Sequence, residues 1–168
     1  GICEAGASGY GRFRNGAADA PSGGYAMRFG LFGSAQAKRG VPVADSAGGY
    51  WEYVNTAVEA EALGYHSTFL VEHHFGGAGQ VSASLNLLTW IAARTTTLRI
   101  GTAVIVLPWH DPILLAEEAA TVDLMSGGRL DFGVGKGYRH TEFTGFRMDA
   151  SEAEPRFDEA LEIGRAHV

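Results

Sequence analysis

A single cysteine, Cys3, occurs in the 168 residues, which excludes an internal disulfide and a thiolate metal cluster and fits a reducing compartment. Long apolar runs are also absent. No stretch approaches the ~18 residues of a membrane span, and the first residues have neither the basic nor the apolar region of a signal peptide. These absences point to a cytoplasmic protein with no membrane partner. Basic residues are scarce, with 13 Lys and Arg against 19 Asp and Glu and a net charge of −6. That balance argues against a nucleic-acid partner, which would require a basic face to track phosphates. The chain also lacks an HExxH spacing, and the adjacent His73 and His74 cannot readily clasp one ion, so zinc is a poor reading of them.

What is present is apolar sequence, 46% of residues, and 24 glycines, about twice the usual share. The first supplies a core, and the second implies many tight turns, so the composition suggests an α/β or β protein. The ends read differently from the middle. Residues 1–26 are rich in Gly, Ala and Ser, and Tyr10, Phe13 and Tyr25 stand at no regular interval, so neither a helix nor a strand face is expected. They are taken as a disordered or non-native tail, with Met27 as the expected true start. Near the other end, Phe157, Ala160 and Leu161 form a helical stripe that Gly164 is expected to stop. Residues 162–168, EIGRAHV, look like a translated library adapter, so 164–168 are expected to be a non-native end. The folding unit is then 27–163.

Within that unit a short apolar strand is followed by a longer helical pattern, again and again. Strands are expected at 28–32, 67–74, 98–107 and 129–135. After the first, Trp51, Val54, Val58 and Ala62 recur at helical spacing and Gly64 marks a stop. After the second, Leu88, Ile91, Ala92 and Thr95 recur. After the third, Asp111 and Pro112 form an N-cap with proline at the first helical position, Leu115, Ala119 and Val122 form the stripe, and Gly127 with Gly128 ends it. After the fourth, Ser151 with Glu154 reads as a capping box, or Pro155 moves the start to Glu154. Strand, helix, strand at this spacing is the pattern of parallel βαβ units, in an open sheet or a barrel. In the fourth strand Asp131, Gly133 and Gly135 share a face, which suits a crowded barrel interior or a ligand close to the backbone.

In parallel α/β folds, ligands bind at the carboxyl ends of the strands. The second strand runs into Glu72, His73, His74 and Phe75, the third into Pro108, Trp109 and His110, and the fourth into Gly135, Lys136, Gly137 and Tyr138. Two imidazoles beside a carboxylate can supply a base near neutral pH and a group to orient it; the plainer alternative is hydrogen bonding to a loop backbone. The GVGKG stretch at 133–137 offers backbone N–H groups and an ammonium to a phosphate, and Arg156 could add a guanidinium; strand-terminal glycines with a solvated lysine are the plainer reading of the first, and an exposed helix arginine explains the second as well. Thr102, Ala103 and Val104 are small side chains against which a flat ring could lie, or ordinary core.

Taken together, MRFG at 27–30, the EHHF group, RIGTAVIVLP at 99–108, HDP at 110–112 and MSGGRLDFGVGKG at 125–137 resemble the bacterial luciferase-like flavin-dependent oxidoreductases. The resemblance implies the N-terminal half of a TIM (β/α)8 barrel, about four βα units, binding FMN, or in some branches a deazaflavin, at the strand ends. It makes His73 the catalytic residue, with Glu72 and His74 beside the flavin. Ala103 and Val104 take the place of a cis-linked pair against the ring, and Thr102 precedes them. Lys136, Gly137 and Arg156 fall at the phosphate. Lys136 stands where an arginine is usual, and Gly135 where luciferase has a reactive cysteine. The implied reaction uses reduced FMN, supplied by a partner flavin reductase, and oxygen on a small-molecule organic substrate, in a homo- or hetero-oligomer. A truncated chain of this kind is expected to be inactive alone. The alternatives are a deazaflavin-dependent hydride-transferring reductase or dehydrogenase, and a non-catalytic flavin-binding or subunit module.

Overall fold

The computed structural model describes residues 2–3, 12–13, 27–76 and 81–167. In chain order the elements are β1 (Ile2–Cys3), β2 (Arg12–Phe13), β3 (Gly30–Gly33), α1 (Val43–Ser46), α2 (Gly48–Ala62), β4 (Ser67–Leu70), α3 (Ser84–Arg94), β5 (Arg99–Thr102), β6 (Ile105–Val106), α4 (Pro112–Ser126), β7 (Leu130–Asp131), β8 (Val134–Gly135), α5 (His140–Gly145) and α6 (Ala153–His167). Short 3-10 turns precede α4 and α6. Strands β3, β4, β5 and β7 form one parallel sheet in sequential order, with Gly30 beside Ser67, Ser67 beside Arg99, and Ile100 beside Leu130. Further along, β6 pairs with β8 in parallel. The expected tail at 1–26 lies outside the described residues except for an antiparallel pairing of β1 with β2, a short strand contact that the sequence pattern did not suggest.

The helices cover the sheet and each packs on the next, α2 on α3, α3 on α4, and α4 on α6. Between the layers Val54, Ala57, Leu70, Leu88, Ile91, Ile100, Leu115, Val122 and Leu130 form one buried cluster. Helix α4 has the expected ends. The Asp111 carboxylate accepts from the Ile113 and Leu114 N–H groups, both at 3.0 Å, and Gly127 closes the helix in the left-handed region at φ +70°. Along α2 the buried stripe is Val54, Ala57 and Ala60, rotated from the expected one, because two alanines let the helix sit close while Trp51 faces out.

Three local expectations are corrected. Each long strand is shorter than its apolar run, because the chain leaves the ladder at 71–76, 103–104 and 132–133 to build the loops described below. Asp149, not Ser151, accepts at the turn before α6, from the Ser151 N–H at 2.9 Å and its hydroxyl at 2.8 Å. Gly164 does not stop α6, which runs through it to His167. Helix α5 was not anticipated.

Around the fourth strand, side chains and backbone of the protein itself crowd the glycines. The Asp131 carboxylate accepts two charge-assisted bonds from the Arg99 guanidinium, both 2.9 Å. A Cβ at Gly101 would lie 2.4 Å from the Phe69 ring and 2.8 Å from the Asp131 carbonyl oxygen, and one at Gly135 would lie 2.8 Å from Val104 Cγ2. Gly101 and Gly135 therefore admit the protein's own atoms, in keeping with a crowded interior.

Candidate active site at the carboxyl ends of the strands

Beyond Leu70 the chain leaves the ladder and turns, ending with Phe75 at φ +55°. Glu72 is 2% exposed and fully engaged. Its Oε1 accepts from the ring Nε2 atoms of His74 at 2.9 Å and His110 at 2.7 Å, and its Oε2 accepts from the Val106 N–H at 2.6 Å. Burial by itself would raise this carboxyl, yet the bonds from His110 and His74, the His110 charge and the Val106 N–H outweigh it and hold the group below the usual carboxylate range. Glu72 thus ties the turn after β4, strand β6 and the entry to α4 to one point.

A second carboxylate, Glu142 of α5, meets the same turn. Its side chain is 98% buried, and its Oε1 bonds His73 Nδ1 at 3.0 Å and accepts from the His74 backbone N–H at 2.8 Å. The neighbouring imidazoles therefore serve different carboxylates, His73 with Glu142 and His74 with Glu72. The His74 ring is enclosed by Phe146 at 4.7 Å, Trp109 at 5.3 Å and Phe75 at 6.1 Å between centroids, and Trp109 stacks on Phe146 at 5.2 Å. Buried polar atoms normally carry partners. The Trp109 Nε1 is buried without one among the described residues.

The residues expected at the cofactor fall into three groups. Glu72, His73 and His74 are brought together, with His110 added. Ala103 and Val104 are half-buried and joined by a cis peptide, while the Thr102 hydroxyl is taken up by the backbone, donating to the Gly133 carbonyl at 2.8 Å and accepting from its N–H at 2.9 Å. Thr102 is a clamp between β5 and the strand beside it. The expected phosphate cations are both ion-paired. Lys136 Nζ lies 3.1 Å from Glu154 and Arg156 lies 2.7 Å from Glu152, with Gly137 between Val106, Trp109 and Phe143.

Sequence reasoning missed Glu142 and Phe146 altogether and named Trp109 and His110 only as residues that follow the third strand. The one local signal for Glu142 is a carboxylate set between aromatic residues in HTEFTGF, at 140–146. Among the described residues no group of three or more His, Cys, Asp and Glu is disposed to hold a metal ion. No helix among them is long and apolar enough to cross a membrane.

Four sequential parallel βα units define a partial (β/α) barrel, and the candidate residues gather where its strands end. The chain belongs to the luciferase-like monooxygenase family, whose model matches residues 27–168. An uncharacterized protein of Sinorhizobium fredii is 38% identical over 110 residues, covering 66% of this chain and 31% of that protein. The 4-hydroxyprotoasukamycin monooxygenase of Streptomyces nodosus subsp. asukaensis is 31% identical over 113 residues, covering 67% and 30%. Among solved structures, the monooxygenase RslO1 from Streptomyces bottropensis superposes with a TM-score of 0.74 at 35% identity, covering 83% of this chain and 42% of that one. The oxygenating constituent of 3,6-diketocamphane monooxygenase from Pseudomonas putida, solved with FMN, gives 0.73 at 20% identity over 83% and 38%, a likeness of fold alone. The matched part of the chain spans about a third of the length of the two curated relatives, 31% and 30%.

Proposed function

We propose that residues 27–163 are the first four βα units of a flavin-dependent monooxygenase that uses reduced FMN and oxygen on a small organic substrate. The observation that carries this reading is the pairing of His73 with the buried Glu142 at the end of β4, beside the Glu72, His74 and His110 cluster. An oriented imidazole is suited to proton transfer near neutral pH. Membership of the monooxygenase family supports the reaction class.

The donor set fits a flavin. Ala103 and Val104 offer small, half-buried side chains to a flat ring. The Lys136 ammonium, the Gly137 N–H and the Arg156 guanidinium suit a phosphate, which would displace Glu154 and Glu152. These are exposed ion pairs worth only about 0–1 kcal/mol each, so the displacement is readily offset. When bound and reduced, FMN supplies the electrons that oxygen chemistry requires. The protein orients the ring, moves a proton at His73, and excludes water with the Trp109, Phe143 and Phe146 rings. A reductase partner would deliver the reduced flavin. In the 168-residue chain alone, β3 has a single sheet neighbour, β4, among the described residues. We therefore expect weak FMN binding and little turnover from that chain, since water enters from an open side.

The test is His73→Ala in the complete barrel. Turnover should fall about 10²- to 10⁴-fold, while FMN affinity, read by fluorescence titration, changes little. Unchanged turnover with normal flavin content removes the assignment. Turnover without oxygen uptake, on a deazaflavin, would make the protein a hydride-transferring dehydrogenase instead.

A further inference from the structure

Glu142 has no counterpart in the sequence reading, yet it is among the most buried polar side chains, 1% exposed as a residue. One of its oxygens serves two partners. Oε1 lies 2.8 Å from the His74 backbone nitrogen and 3.0 Å from His73 Nδ1. The backbone N–H can only donate, so the atom facing it must accept, and an ionised carboxylate oxygen has nothing to donate. The same atom therefore requires a proton on His73 Nδ1. In a neutral imidazole with Nδ1 protonated, the lone pair is on Nε2.

We propose that Glu142 is a positioning residue that fixes the tautomer of His73, holding the proton on Nδ1 and leaving Nε2 as the nitrogen that accepts and returns a proton. The role deepens the function proposed above and rests on it, because a fixed tautomer matters for catalysis only if His73 moves a proton. Two features of the geometry make the device robust. The bond to the His74 N–H anchors the carboxylate from the main chain, so its position does not depend on the His73 ring. His73 is held in turn by its own N–H, which donates to the Val81 carbonyl at 3.0 Å. With its backbone fixed on one side and its ring on the other, the imidazole has one orientation in which Nδ1 meets Glu142.

The experiment reads the tautomer directly and needs no flavin. The 168-residue chain is labelled with ¹⁵N at histidine, and the ring signals of His73 are assigned by their loss in His73→Gln. In the wild-type chain, at a pH where the ring is neutral, Nδ1 should show the shift of a protonated nitrogen and Nε2 that of a bare one. Glu142→Gln keeps a carbonyl oxygen for the His74 N–H and cannot donate from that atom, so the same tautomer should persist. Glu142→Leu removes the acceptor, and in a variant whose circular dichroism is native the two shifts should move toward each other as the tautomers exchange. Should Glu142→Leu not fold, the wild-type and Gln spectra decide the matter. A proton on Nε2 in either of those, or a tautomer unmoved in a folded Glu142→Leu, overturns the proposal. Failure of the underlying reading looks different: His73→Ala would keep full turnover while the wild-type spectrum still showed Nδ1 protonated.

Discussion

Replacing Glu72 by leucine should be among the most damaging single changes available in this chain. The carboxylate accepts from the Val106 N–H and from the His74 and His110 rings, and leucine accepts from none of them. The Val106 N–H is buried, so losing its partner costs about 1–3 kcal/mol. The imidazoles are 16% and 28% exposed, so water replaces part of their loss. Together the cost comes to about 3–5 kcal/mol, in line with breaking a buried charged pair. For a chain of this size that lowers the melting temperature by roughly 10 °C. Glutamine is no rescue, because donors meet both oxygens and one would face the amide NH₂. The pH dependence has a definite sign. The folded carboxyl is held below its unfolded value, so its stabilisation is present above the usual carboxylate range and is lost as pH falls through the folded value. Thermal melts of wild type and Glu72→Leu should differ by this amount at pH 7 and converge in acid. A difference under about 1 kcal/mol at pH 7, or one that does not narrow in acid, would refute the reasoning.

Three further outcomes are expected. Gly101→Ala should destabilise by about 2–3 kcal/mol in urea unfolding, since the new methyl meets backbone at the Asp131 carbonyl as well as the Phe69 ring. Arg129→Lys should cost about 1–3 kcal/mol in the same assay. Its guanidinium donates to the carbonyls of Ala92, Thr95, Leu98 and Ser126 and to the Thr95 hydroxyl, a spread that one ammonium cannot cover. Glu61 should titrate at about 2 in a carboxyl NMR titration: desolvation pushes it up, but the bonds from the N–H groups of Thr97, Leu98 and Thr96 and the Thr97 hydroxyl together outweigh it. A midpoint in the ordinary glutamate range would mean that this clamp on the 96–98 turn does not form in solution.

The sequence by itself determined what short-range physics controls. Helix α4 was legible from end to end, since an aspartate before a proline and a paired glycine stop act on their own neighbours. The parallel βαβ order followed from strand and helix periodicities alternating at a constant interval, and the candidate base followed because Glu72, His73 and His74 sit together at one strand end. Tertiary structure decided whatever depended on distant partners. The run IGTAVIVL at 100–107 is nearly continuous in apolar residues, yet the strand breaks after Thr102, whose hydroxyl binds Gly133, 31 positions away. Which stripe of α2 is buried was set by how closely Ala57 and Ala60 let it approach its neighbours, a packing choice that periodicity leaves open by a fraction of a turn. Lys136 read as a solvated cation because the sequence does not show that Glu154, 18 positions on, comes to lie opposite it, whereas the Arg156 pair with Glu152, four residues away, was open to local reading. Glu142 stands 69 residues from His73, and its aromatic neighbours in the sequence do not say which residue of a different βα unit it meets. Only the folded sheet, by carrying α5 back over the end of β4, turns two separate residues into one oriented pair.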